Sequence, residues 1–213
     1  MTADIDLDNV RLKLGNAEFH FHRHIDAGSF VAVTGPSGSG KTTLFNLIAG
    51  FVAPDTGAVR IGQAIMNDTP PAARPVSLIF QDHNLFAHLN VFKNVALGIH
   101  PALRLKGEDR ARIDVALEEV GLAGFGERMP GSLSGGERQR VAFARALVRK
   151  RPVLLLDEPF ASLDPHLRVE MGALLTKLHR REGATILIIT HEPAEAERLA
   201  NYTIRIENGR IAG

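Results

Sequence analysis

Eight consecutive residues set the frame for this chain: Gly35-Pro36-Ser37-Gly38-Ser39-Gly40-Lys41-Thr42, which fill the pattern G-x-x-x-x-G-K-[ST] in full. They follow the apolar run Phe30-Val31-Ala32-Val33 and open a helical pattern over residues 42–48, with Leu44, Leu47 and Ile48 on one face. A buried strand that turns through glycines into a helix commits the chain to a sheet covered by helices. The glycines let successive backbone N–H groups curve around an anion without a Cβ in the way, and the helix N-terminus adds its positive end. The loop and the adjoining Thr43 therefore predict a nucleotide-phosphate site. Lys41 is placed to reach the β- and γ-phosphates, and the Thr42 hydroxyl to ligate Mg²⁺.

Further apolar runs at 153–156 and 184–189, bounded by turn residues, read as strands buried on both faces of a parallel sheet, and 76–80 reads as another strand. Met171, Leu174, Leu175 and Leu178 mark a helix between the first two, so the pattern is that of a doubly wound α/β domain. Val10, Leu12 and Leu14, then Phe19 and Phe21, alternate with a period of two. That segment, 57–65 and 202–206 read as partly solvated antiparallel strands, the last followed by an Asn208-Gly209 turn. The middle of the chain differs. Residues 108–120 form an amphipathic helix with Ile113, Ala116, Leu117 and Val120 as its stripe, and several glycines and Pro130 follow. This stretch predicts a helical insertion that leaves the sheet core and returns.

Three further groups of residues carry chemistry. Asp157 and Glu158 close the run Leu154-Leu155-Leu156, at the strand end where open α/β sheets bind ligands. Asp157 is expected to hold Mg²⁺, directly or through water, and Glu158 to polarise a water for attack on a γ-phosphate. Leu133-Ser134-Gly135-Gly136-Glu137 precedes a helix with Val141, Ala144, Leu147 and Val148. Ser134 and Glu137 have the S-x-x-E spacing of a capping box, which alone would explain both. The two glycines exceed what capping needs, and bare amides at a helix start suit a phosphate, so Ser134, Gly135 and Gly136 are expected to do both. One chain with two phosphate-binding elements suggests ATP held between two copies. Gln81, after the strand at 76–80, could touch Mg²⁺ or the attacking water; His191, past the strand ending at Ile189, could reach the γ-phosphate.

Composition narrows the setting. Hydrophobic residues are 45%, charged residues 23% and the formal net charge is +1, an ordinary globular balance without the field that draws nucleic acid. There are no cysteines, which excludes disulfides and thiolate metal sites. The acidic start lacks an apolar stretch, so no signal peptide is expected, and no apolar run approaches the ~20 residues a membrane helix needs.

Taken in order, the loop at 35–42, Gln81, residues 133–140, Asp157-Glu158, Ala161-Ser162-Leu163-Asp164 and His191 resemble the ATP-binding subunit of ABC transporters over nearly the whole chain. The resemblance implies a P-loop NTPase (RecA-like) α/β core with an N-terminal antiparallel β subdomain, over 1–81 and 138–213. It also implies an inserted α-helical subdomain over 82–137, ending in the signature loop. ATP and Mg²⁺ are the implied ligands. Gly35 to Thr43 with Ser134, Gly135 and Gly136 would bind nucleotide, Thr42, Gln81 and Asp157 the metal, and Glu158, His191 and Gln81 would serve catalysis. The implied assembly is a head-to-tail homodimer around two ATP, docked near Gln81, Asn84, Leu85 and Phe86 on membrane-spanning permease subunits. It would lie on the cytoplasmic face of a bacterial inner membrane, with a periplasmic or extracellular solute-binding protein acting indirectly and no nucleic acid. Arg74-Pro75-Val76-Ser77-Leu78-Ile79-Phe80-Gln81, Asn84-Leu85-Phe86 and residues 95–99 are similar to the thiamine-importing branch of that family, while relatives for iron or spermidine share much of this region.

The chain departs from the family pattern twice. Glu137 stands where Gln is commoner, and its charge is expected to face into the capping box. No aromatic residue stands near the end of the first strand, so the adenine is expected to meet Leu12 or Leu14, with weak base discrimination. A regulatory domain of the kind some relatives carry is not expected after Gly213.

Overall fold

The computed structural model describes residues 2–80, 84–161 and 163–212. Two compact units emerge: Met1–Leu78 with Arg151–Glu158 and Thr176–Gly213, and Ile79–Lys150 with Pro159–Leu175. The second unit takes in more than the helical insertion at 82–137, adding the whole signature helix and the segment after Glu158.

The first unit is built on a sheet. Its strands are β1 (Ile5–Leu14), β2 (Ala17–Ile25), β3 (Phe30–Thr34), β4 (Thr56–Ile61), β5 (Ala64–Ile65), β6 (Val76–Ile79), β7 (Val153–Asp157), β8 (Thr185–Ile189), β9 (Tyr202–Glu207) and β10 (Arg210–Ile211). They pair in the order β5-β4-β1-β2-β10-β9-β3-β8-β7-β6. The near-continuous aliphatic strands sit where such sequences must, flanked on both sides: β3 and β7 both run parallel to β8, with Val31 and Leu155 opposite Leu187. The alternating strands pair antiparallel, Leu12 opposite Phe19 and Leu7 opposite Val59, with an irregularity between Leu7 and Val10. Helix α1 (Lys41–Ala49) lies in this core, with Leu44, Phe45, Leu47 and Ile48 buried beside Phe21, Val33 and Leu155.

Two expectations need correction. Residues 57–65 are a hairpin, β4 and β5, turning at Gly62 and Gln63. The strand at 202–206 is antiparallel only to β10; against β3 it is parallel, Val31 opposite Tyr202 and Val33 opposite Ile204. Alternation reports that one face is wet, and Thr203, Arg205 and Glu207 are indeed exposed, but it does not report strand direction.

Arg74 is buried and has no acidic partner among the described residues. Its guanidinium donates to the carbonyls of Leu47, Ile48, Met66 and Thr69. The last carbonyls of a helix have no partner within it and carry its negative end, so a cation there meets two needs together.

In the second unit, α2 (Val91–Ala96) and α3 (Gly107–Glu119) pack on α4 (Gly135–Arg149) through Val91, Val95, Ile113, Leu117, Val141 and Ala144, all buried. Phe143 and Phe160 stack with ring centres 6.3 Å apart. Asn94, fully buried, holds the segment before α2. Its amide accepts from Phe86 N–H and donates to the carbonyls of Phe86, Leu89 and Asn90. Arg145 on α4 donates to the Asn84 carbonyl at 2.8 Å. The chain continues through α5 (Pro165–Glu182) and, back in the first unit, α6 (Pro193–Leu199). Among the described residues, no helix is long and apolar enough to cross a membrane.

Candidate functional site

The loop between β3 and α1 owes its shape to residues without side chains. Gly35, Gly38 and Gly40 have φ of 143°, 75° and 110°, in the region that favours glycine. A Cβ on Gly40 would run into the Phe19 ring. Gly40 is also the N-cap of α1 and offers no side-chain cap, so the first amides of the helix are not satisfied by a capping side chain. The Lys41 ammonium, almost buried, donates to the carbonyls of Gly35 and Pro36 at 2.9 Å each. The Ser39 hydroxyl is buried and lacks a partner among the described residues.

At the end of β7, Asp157 accepts a hydrogen bond from the Thr42 hydroxyl at 3.2 Å. Burial pushes its carboxyl up from the usual carboxylate range; the Thr42 hydroxyl works against that and the Glu158 charge with it. Glu158 has φ of 47° and donates its N–H to the Ile189 carbonyl at the end of β8. Its Oε1 lies 2.8 Å from His191 Nε2. Ser37, Gly38, Gly40, Lys41, Thr42, Thr43, Glu158 and His191 line one cleft of about 230 Å³. Residues far apart in sequence thus share one cleft.

The donor set fits a nucleotide phosphate with Mg²⁺. A hydroxyl and a carboxylate 3.2 Å apart are hard oxygen ligands, and Mg²⁺ takes one or two such protein groups while keeping phosphate and water for the rest. The orphaned Ser39 hydroxyl and the ammonium parked on two loop carbonyls are the donors such an anion would engage. Gln81, expected to join them, lies outside the described residues.

Ser134, Gly135 and Gly136 belong to the second unit and do not line this cleft. Ser134 caps α4: its hydroxyl accepts from Glu137 N–H at 3.2 Å, and its own N–H donates to Glu137 Oε2 at 2.7 Å. That backbone hydrogen bond holds the Glu137 carboxyl below its ordinary range. The Glu137 charge therefore turns inward to the cap, as expected. Gly136 has a packing role as well, since a Cβ there would press on Leu163 and Leu167. Of the two leucines considered for the base, Leu12 is in the core and unavailable, whereas Leu14 at the hairpin end is 42% exposed.

Two supports escaped the sequence reading. The Thr190 hydroxyl donates to buried Glu195 at 2.6 Å and accepts from Glu192 N–H at 3.1 Å, fixing the turn that carries His191. A Thr and Glu flanking Pro193 at a helix start was the available signal. Asn94 gave none, because all its partners are main-chain atoms.

Comparison with known proteins places these features in a context. A family model described as ABC transporter matches residues 20–161, more than half of the chain; one described as an AAA domain, putative AbiEii toxin, matches 126–197. The chain is 56% identical over 202 residues to the thiamine import ATP-binding protein ThiQ of Rhizobium meliloti, covering 95% of this chain and 85% of that one. To the protein of the same name from Brucella suis it is 53% identical over 211 residues, 99% of this chain and 88% of the other. Among solved structures it resembles the dimeric post-hydrolysis state of the ATP-binding cassette MJ0796 bound to ADP and Pi, with a TM-score of 0.87 and 31% identity over 99% of this chain and 97% of that one.

Proposed function

The chain belongs to the ABC transporter family and is an ATPase of that class, and from this premise we propose that it is the ATP-hydrolysing subunit of an importer for thiamine or its phosphates. The observation that carries the solute is identity of 56% and 53%, over nearly the whole chain, to proteins named for thiamine import. It works as a homodimer on two membrane-spanning permease subunits, peripheral to the cytoplasmic face of the inner membrane, with a solute-binding protein signalling through the permease. The dimeric cassette it resembles supports the pairing.

Within each subunit, Gly35 to Thr43 cradle the phosphates of ATP, and Lys41 exchanges its two loop carbonyls for phosphate oxygens. Mg²⁺, when bound, would supply charge neutralisation at the phosphates; Thr42 and Asp157, with Gln81, would be the residues that hold it. Glu158 orients water and accepts its proton. His191, hydrogen-bonded to Glu158, fixes that carboxylate and faces the γ-phosphate. Ser134, Gly135 and Gly136 close the same site from the second copy, with the start of α4 toward the phosphate.

The test is reconstitution with the cognate permease and binding protein. ATP turnover is expected to rise with thiamine-loaded binding protein and not with iron- or spermidine-loaded ones. Stimulation by either of the latter alone would reassign the solute and leave the ATPase reading intact.

A further inference from the structure

The face of the β1–β2–β10 sheet opposite Leu12 and Phe19 holds a feature that ATP hydrolysis does not use. Arg11 on β1 stands in register with His20 on β2, which stands in register with Arg210 on β10. These three, with Lys13, Glu18 and Asp55, line a cleft of about 370 Å³. The acids there are already engaged: Glu18 is 3.7 Å from the Lys13 ammonium, and Asp55 accepts from Lys13 N–H at 2.8 Å. Neither the Arg11 nor the Arg210 guanidinium has a hydrogen-bond or ion-pair partner among the described residues, and His20 Nε2 is buried without one. Arg11 and Arg210 stand one on either side of His20 with their donor forks unpaired, and a group that such forks take up is a phosphate.

We propose that Arg11 and Arg210 hold a phosphate group on this outer sheet face, at a second anion site separate from the nucleotide cleft. His20 sits between the two guanidiniums and reports on it. Burial, then Arg11, Arg210 and His22, lower its pKa from the ordinary histidine value. The other ionisable groups facing it are Lys13, Glu18 and Asp55. A bound dianion screens the two arginines and raises the His20 titration midpoint toward its ordinary value.

The experiment uses the full chain saturated with Mg²⁺ and a non-hydrolysable ATP analogue, so that the nucleotide cleft is already filled. His20 ring resonances are titrated with pH, with and without millimolar inorganic phosphate. In parallel, the protein is co-sedimented with vesicles of phosphatidylglycerol and phosphatidylcholine or of phosphatidylcholine alone. A rise of the His20 midpoint with inorganic phosphate identifies a free phosphate or phosphate ester; sedimentation with the phosphatidylglycerol vesicles alone identifies a lipid headgroup. In either case Arg11→Gln/Arg210→Gln is expected to weaken the binding by about tenfold or more while leaving ATP turnover unchanged. Without phosphate, the double variant alone should already raise the His20 midpoint. A wild-type midpoint indifferent to phosphate, together with no preference for the anionic vesicles, overturns the proposal, as does full binding by the double variant.

Discussion

Glu158 and Asp157 are neighbours in sequence with different surroundings, and their proposed roles follow from that difference. Glu158 keeps one oxygen on His191 and lines the cleft. Glu158→Gln retains the shape without the basicity, so ATP binding is expected to persist while turnover falls about 10²–10⁴-fold, measured as phosphate release. Unaltered turnover would remove Glu158 from the chemistry. Asp157 is buried, and its carboxyl is raised. A folded pKa above the unfolded one stabilises the fold below the unfolded value and loses that contribution as pH rises through the folded value. In nucleotide-free protein at pH 7, Asp157→Asn should therefore raise the Tm by about 2–4 °C. The gain should shrink as pH falls through the raised folded-state value and be gone below about 4, where the wild-type carboxyl is protonated in both states. A gain that persists unchanged at acid pH would assign it to something other than charge. These residues were legible in the sequence because their chemistry is contiguous with the strands and turns that present them.

Elements show where that legibility stops. The βα unit at the phosphate loop, the buried strands and the helix at 107–119 follow from periodicity, since their partners are any apolar surface of the right shape. Asn94 and Arg74 bond to carbonyls, which every residue carries, so no residue type nearby announces the match. The direction of β9 depends on its neighbours alone. Arg74 tests the consequence for α1. Replacing it by Met leaves four carbonyls, of Leu47, Ile48, Met66 and Thr69, without that donor in a dry site. Arg74→Met should cost about 3 kcal/mol or more in chemical denaturation, at the severe end for a single substitution. A loss below about 1 kcal/mol would show that water reaches those carbonyls.

At the scale of the molecule, one copy carries both halves of the proposed site, the loop at 35–42 in the first unit and the start of α4 in the second. Ser134→Arg fills the start of α4 with a large cation and removes the capping hydroxyl, at about 1 kcal/mol in helix stability. Nucleotide should still bind at Lys41, whereas ATP-dependent dimerisation, read by sedimentation, and turnover should both be lost. Full-rate hydrolysis by a monomer would refute a shared site. The connectivity of the sheet also bears on how the protein is made. The central strand β3 lies between β8 and β9, which come from the last stretch of the sequence. While the polypeptide leaves the ribosome, β3 waits with both edges bare until residues up to Glu207 have been synthesised. Ribosome-stalled chains halted before β8 should thus be cut by protease around residues 30–40, chaperones that mask bare strand edges should bind them, and protection should arrive only with the final strands.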